Sequence, residues 1–133
     1  MLFDKAVIFT DIHLGNKNNS RLHNQDCEDF IIWMIDEAHK RGIKKCFFLG
    51  DWHHHRATIN VSTLNYTVSN LRRLNDNFDE VIMIMGNHDL YYREKREIHS
   101  IPMGKEYPNI RIVNDEMLIE DDVAFIPWLV DDE

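Results

Sequence analysis

The stretch Val81–Tyr92, VIMIMGNHDLYY, decides how the rest of the chain is read. Five consecutive apolar residues stop at Gly86, and Asn87, His88 and Asp89 follow without a gap. A short apolar run ended by a glycine reads as a strand buried on both faces, the kind that fills the middle of a parallel sheet. Three groups able to bind a metal or move a proton, placed directly after such a strand, are more than a turn requires. Turn chemistry calls for Gly, Asn and Asp, and has no need of His.

Working outward, the same arrangement occurs twice more. KAVIFT (Lys5–Thr10) is a short apolar run followed by DIHLG, and KKCFFLG (Lys44–Gly50) is followed by DWHHH. Between these runs, Cys27, Phe30, Ile31, Met34, Ile35 and Ala38 recur at helical spacing, which predicts a helix from about Asp26 to Arg41. His39, Lys40 and Arg41 suit its negative end, and Gly42 suits its stop. A second helix is predicted from about Ser62 to Asn77, with Leu64, Val68, Leu71, Leu74 and Phe78 on one stripe. The segment between Asp11 and Asp26 reads as a loop, and the charged stretch from Tyr91 to Pro108 as irregular. NIRIV, EMLIE and VAFIP read as short strands, with Glu120–Asp122 as a tight turn; their pairing is left open.

Strand, helix, strand, helix, strand is the pattern of βαβ units, so the fold class is α/β with a mostly parallel central sheet. Ligands in such sheets bind outside the carboxyl ends of the strands. Asp11 and His13, Asp51 with His53, His54 and His55, and Asn87 with His88 and Asp89 all fall at those ends. Neighbouring strands lie about 4.8 Å apart, so the three clusters converge. Asp11 and His13 are two residues apart and point the same way if the segment is extended. Gly50 and Gly86 permit sharp turns and close backbone approach. Taken singly, each cluster has a plainer reading: a loop pair, a surface histidine tract, a turn Asn followed by a cap. Their repetition at three strand ends favours a shared centre. Its donors are carboxylate, imidazole and amide oxygen without thiolate, which favours manganese, iron or zinc in a working site over a structural zinc.

The remaining numbers set bounds. The chain has 133 residues, 44% hydrophobic and 29% charged, which suits one globular domain. A net charge of -8 argues against a surface that coats nucleic acid generally, although bound cations supply positive charge locally. The two cysteines, Cys27 and Cys46, sit in unrelated contexts and form neither a zinc pattern nor a disulfide framework. No apolar run is long enough to span a membrane, and Asp4 and Lys5 interrupt the N-terminus too early for a signal peptide. A cytoplasmic setting is therefore expected.

The three clusters read DIH, GDWHH and GNHD in that order. They resemble the first three motifs of the calcineurin-like metallophosphoesterases: Asp-x-His, Gly-Asp-x-x-(Asp or His) and Gly-Asn-His-(Asp or Glu). The resemblance covers nearly the whole chain and implies the N-terminal portion of a four-layer αββα sandwich. DIHLG, GNHDLYY and the IPW at Ile126–Trp128 look most like the nuclease branch that processes DNA ends, including small subunits of phage recombination endonucleases. A phage-encoded protein of this kind works in the host cytoplasm.

Carried over by position, the resemblance implies that Asp11 and His13 bind one divalent ion, Asp51 bridges two, and Asn87 binds the second. Mn2+ is the expected ion, with Zn2+, Fe2+ and Mg2+ as alternatives. His88 is implied to face the scissile phosphate and Asp89 to orient it, in two-metal in-line hydrolysis. His54 falls where nuclease members carry an Asp or His beside that catalytic His; His53 and His55 match no ligand position. The implied partners are DNA, an ABC-type ATPase subunit and a second copy of the chain.

The family's later histidine motifs have no counterpart here, since only His99 follows Asp89. Residues 1–133 are therefore expected to form a metallophosphoesterase domain lacking its C-terminal part, or one whose missing ligands come from a partner. Two other readings stand beside the nuclease: a phosphatase or small-molecule phosphodiesterase using the same metals, and an inactive domain that docks to an ATPase. Asn16, Lys17, Arg21, Arg56, Arg93, Lys95 and Arg96 are the candidates for holding DNA phosphates.

Overall fold

The computed structural model describes residues 4–55, 58–86, 106–113, 117–120 and 122–129, and the backbone of 90–92 and 95–99. In chain order its elements are β1 (Val7–Phe9), α1 (Asn16–Asn19), α2 (Arg21–Lys40), β2 (Lys45–Phe48), α3 (Val61–Asn77), β3 (Glu80–Ile84), β4 (Leu90–Tyr92), β5 (Lys95–His99), β6 (Ile110–Val113), β7 (Leu118–Glu120) and β8 (Val123–Phe125).

Four strands form one parallel sheet in the order β1-β2-β3-β6. The register explains why the strands are largely apolar, with Lys45 and Glu80 paired at the start of β2 and β3. Val7, Cys46, Val81 and Ile110 form one row across the sheet, and Phe9, Phe48, Met83 and Ile112 another. Both rows belong to the larger core, which holds Ile31, Met34, Ile35 and Ala38 of α2 and Leu71 and Leu74 of α3. The intervening row, Ile8, Phe47, Ile82 and Arg111, faces the other way. There Phe47 and Ile82 join Val113, Phe125 of β8 and the half-buried Leu118 of β7 in a smaller core. The sheet thus lies between a helical layer and an antiparallel β7–β8 hairpin, as expected for the N-terminal part of a calcineurin-like sandwich. The Arg111 guanidinium contacts the Glu120 carboxylate, which ties this hairpin to β6.

Several expectations are corrected. Helix α2 starts at Arg21, five residues earlier than the apolar spacing indicated, because Ser20 caps it by accepting from the His23 amide at 3.3 Å. Phe30, placed on the core stripe by its spacing, is 40% exposed, and the fully buried Asn24 extends the stripe instead. In the first half of α3 the inward line is polar: Thr63, Thr67 and Asn70 are buried, while Leu64 and Val68 are only half-buried. The segment read as irregular after Tyr91 contains β5, which pairs antiparallel with β4. The loop after His13 contains the single turn α1, in which Lys17 and Asn18 adopt left-handed backbone angles. The pairing that the sequence left open is resolved: EMLIE and VAFIP pair with each other and not with the main sheet.

Candidate metal centre

Past their last regular residues, β1 and β2 remain laced together. The Leu49 amide donates to the Phe9 carbonyl (3.0 Å), Asp11 to Gly50 (2.9 Å), His13 to Asp51 (3.0 Å) and Leu14 to Trp52 (2.7 Å). The His54 amide returns a bond to the Leu14 carbonyl at 2.9 Å. Within this double strand three residues take left-handed angles: Asp11 (φ 56), His13 (φ 47) and Asp51 (φ 60). Each such residue costs about 1–3 kcal/mol unless its surroundings impose it. Three strained residues within one double strand, each with a metal-binding side chain, point to a site.

Asp11, His13 and Asp51 each offer a ligand atom, and these atoms all lie within 4.8 Å of one another. The His13 Nε2 is 3.3 Å from Asp11 Oδ1 and 3.7 Å from Asp51 Oδ2. The side chains of His13 and Asp51 are largely covered, at 21% and 17% exposure, while that of Asp11 is 56% exposed. One wall is therefore fixed and one side is open to solvent. Asp11 and His13 meet as expected, although the segment is not extended: both residues stand at left-handed angles. The Asp11 carboxyl is held below the usual carboxylate range, chiefly by the Thr10 hydroxyl, which donates to Oδ2 at 2.6 Å, and then by His13. An ionised carboxylate beside an imidazole and a second carboxylate suits a divalent cation of hard or borderline character.

Gly86 closes the site from β3. A Cβ built on Gly86 would lie 2.5 Å from the Asp51 amide nitrogen and 2.5 Å from Asp51 Oδ1; one built on Gly50 would lie 2.8 Å from the Gly86 Cα. The two strand ends therefore touch backbone to backbone, and only glycine permits that approach. From the helical side, the His23 ring Nε2 contacts the Ile12 (3.1 Å) and His13 (3.0 Å) carbonyls, and the Cys27 thiol donates to the Ile12 carbonyl at 3.3 Å. Asn24 accepts from the Gly15 amide (2.9 Å) and donates to the Thr63 hydroxyl (3.0 Å).

The expected residues divide as follows. Asp11, His13 and Asp51 come together. His54 stands next to them, its ring 5.5 Å from that of His13 in an edge-on arrangement. Asn87, His88 and Asp89 lie outside the described residues, as do Arg56 and Arg93. His53, which matched no ligand position, is 1% exposed, and burial pushes its pKa down to about 4. Thr10, His23 and Asn24 were not singled out from the sequence. Thr10 bonds to the adjacent Asp11 carboxylate, and His23 and Asn24 each bond to segments apart in the chain, contacts that leave no hydrophobic period. Among the described residues no helix is long and apolar enough to cross a membrane.

These observations are matched by comparison with known proteins. The family model for calcineurin-like phosphoesterases covers residues 5–127. The chain belongs to the calcineurin-like phosphoesterase family. This is a family of metal-dependent phosphoesterases, and the Asp11, His13 and Asp51 cluster is a candidate metal site. Exonuclease subunit 1 of Enterobacteria phage T4 is 26% identical over 132 residues, covering 96% of this phosphoesterase chain and 39% of the phage protein. The crystal structure of Pseudomonas putida nuclease MPE shares the fold with a TM-score of 0.57 at 22% identity, covering 87% of this chain and 50% of that one. The chain thus spans half or less of the length of either relative.

Proposed function

We propose that the chain is the N-terminal part of a metal-dependent phosphodiesterase acting on DNA, an endo- or exonuclease of recombination or double-strand-break repair. The observation that carries the reading is the convergence of Asp11, His13 and Asp51 at the carboxyl ends of two neighbouring parallel strands. The family match makes the reading one of phosphoester hydrolysis. The two relatives, an exonuclease subunit and a nuclease, direct it towards nucleic acid.

Asp11, His13, Asp51 and Asn87 are the residues proposed to hold two divalent ions, most simply Mn2+. When bound, such ions supply Lewis acidity to a phosphoryl group and neutralise its charge. The chain's own contribution is positional. Thr10 keeps Asp11 ionised, Gly86 fixes where the Asp51 carboxylate stands, and His23 holds the backbone on which His13 is mounted. His88 and Asp89 are the proposed acid and its orienting partner, with His54 next to them; general acid catalysis of this kind is worth about 10²–10⁴-fold. DNA, an ABC-type ATPase subunit and a second copy of the chain are the proposed partners, in the cytoplasm. The phage relative's name, a numbered subunit, is the support for a partner subunit.

The test is hydrolysis by the protein in Mn2+, with single- and double-stranded DNA set beside p-nitrophenyl phosphate and cyclic nucleotides. DNA cleavage that is lost in EDTA and in Asp51→Ala is the expected result. Hydrolysis of the small esters with DNA left intact would assign the phosphatase or small-molecule reading instead.

A further inference from the structure

We propose that Thr67, on α3, is a positioning residue for the Asp51 carboxylate, acting through the two residues that follow Asp51 in the chain. The proposal rests on the metal-centre reading above. Trp52 Nε1–H donates to the Thr67 hydroxyl oxygen at 3.1 Å, and the same oxygen lies 2.6 Å from His53 Nε2. All three side chains are sealed from solvent: Trp52 and Thr67 are 0% exposed and His53 1%. A hydroxyl can accept from the indole and donate to the imidazole at once, so a single oxygen on a helix holds two consecutive loop residues.

The geometry makes this hold consequential for Asp51. On its upstream side Asp51 is confined by Gly50, whose backbone is pressed against Gly86. On its downstream side Trp52 and His53 are the next two residues. Trp52 is wedged edge-on against Phe48 with ring centroids 5.3 Å apart, and His53 pairs with Leu14 in an isolated bridge. Asp51 itself stands at φ 60, a conformation that persists only where both flanks are held. The Thr67 hydroxyl ties that downstream flank to a rigid helix. It also explains why the first half of α3 buries threonines where a leucine stripe was expected: a valine at position 67 would fill the same space and leave an indole N–H and an imidazole nitrogen buried without this partner.

The experiment compares Thr67→Val, Thr67→Ser and the wild type, with Leu74→Val as a control that loosens the same face of α3 two turns away. Mn2+ titration calorimetry and amide hydrogen exchange in EDTA are the two readouts. Thr67→Val is expected to weaken Mn2+ binding by about 10–100-fold, the range for residues that orient metal ligands. It should also speed exchange of the His13, Leu14 and His54 amides that lace the two loops together. Thr67→Ser, which restores the hydroxyl, should recover both properties, and Leu74→Val should lower Tm while leaving both in place. Wild-type affinity and exchange in Thr67→Val would overturn the proposal, as would an equal loss in Leu74→Val. If the wild type itself takes up no Mn2+, the metal-centre reading fails and the exchange data decide alone. Faster exchange confined to Thr67→Val upholds the hold on the loop, and unchanged exchange removes it.

Discussion

Replacing Gly86 with alanine changes the chain by one methyl group and acts directly on the candidate site. The Gly86 backbone lies outside the left-handed region, so alanine carries no conformational penalty there and the effect is steric. The added Cβ would stand 2.5 Å from both the Asp51 amide nitrogen and Asp51 Oδ1, and 3.0 Å from the Gly50 carbonyl carbon. Ordinary contact needs about 3.4 Å or more, so Asp51 and the β3 end must separate by about 1 Å. Metal and catalytic constellations tolerate displacements of only about 0.5 Å. Overpacking of this kind costs about 1–3 kcal/mol of stability, and misplacing a ligand costs about 10–100-fold in metal affinity. Thermal unfolding in EDTA measures the first quantity and Mn2+ calorimetry the second. Gly86→Ala is expected to remain folded with a lowered Tm and to lose affinity by more than tenfold. Wild-type Mn2+ affinity in a folded Gly86→Ala protein would refute the claim that Asp51 is a ligand held in place by that glycine.

Three further outcomes are expected. Asp51→Ala abolishes Mn2+ binding in calorimetry, whereas His88→Ala keeps the metal and loses turnover on a DNA substrate; equal titrations for wild type and Asp51→Ala would contradict the first half. His53 is buried with its pKa lowered to about 4, so between about pH 6.5 and 4 the unfolded chain binds a proton that the folded chain refuses. Stability therefore falls as pH falls, by about 2 kcal/mol between pH 7 and 5, and denaturant titrations in EDTA should show that this part of the pH dependence disappears in His53→Gln. Burial pushes the Cys27 thiol up to about 11 and raises that of Cys46 further, so both should react with a thiol reagent at pH 8 only on the timescale of unfolding, and rapid labelling of the native protein would contradict their placement.

The parallel strands were readable because a strand covered on both faces must be largely apolar, and VIMIM and CFFL are apolar without alternation. The site was readable for a related reason: a rigid strand end is where a ligand can be held, so Asp11 and Asp51 announced themselves by following Thr10 and Gly50. The start of α2 was hidden by Arg21, His23 and Asn24, since a helix turn whose buried member is Asn24 carries no hydrophobic period. The inward face of α3 was misjudged because Thr63 and Thr67 are buried to satisfy polar atoms on other segments, a pairing fixed only in three dimensions. The left-handed angles at Asp11, His13 and Asp51 have no sequence signature beyond the tolerance of Asp and His for them. The β4–β5 pairing was missed because the alternation of charges around Arg93–Glu97 reads as a solvated loop.

The most direct measurement is anomalous scattering from a crystal soaked in Mn2+. Manganese is expected within about 2.2 Å of the Asp11 and Asp51 carboxylates and the His13 imidazole, with Asn87 completing a second position. A soaked crystal whose only manganese peaks lie away from those side chains would contradict this placement.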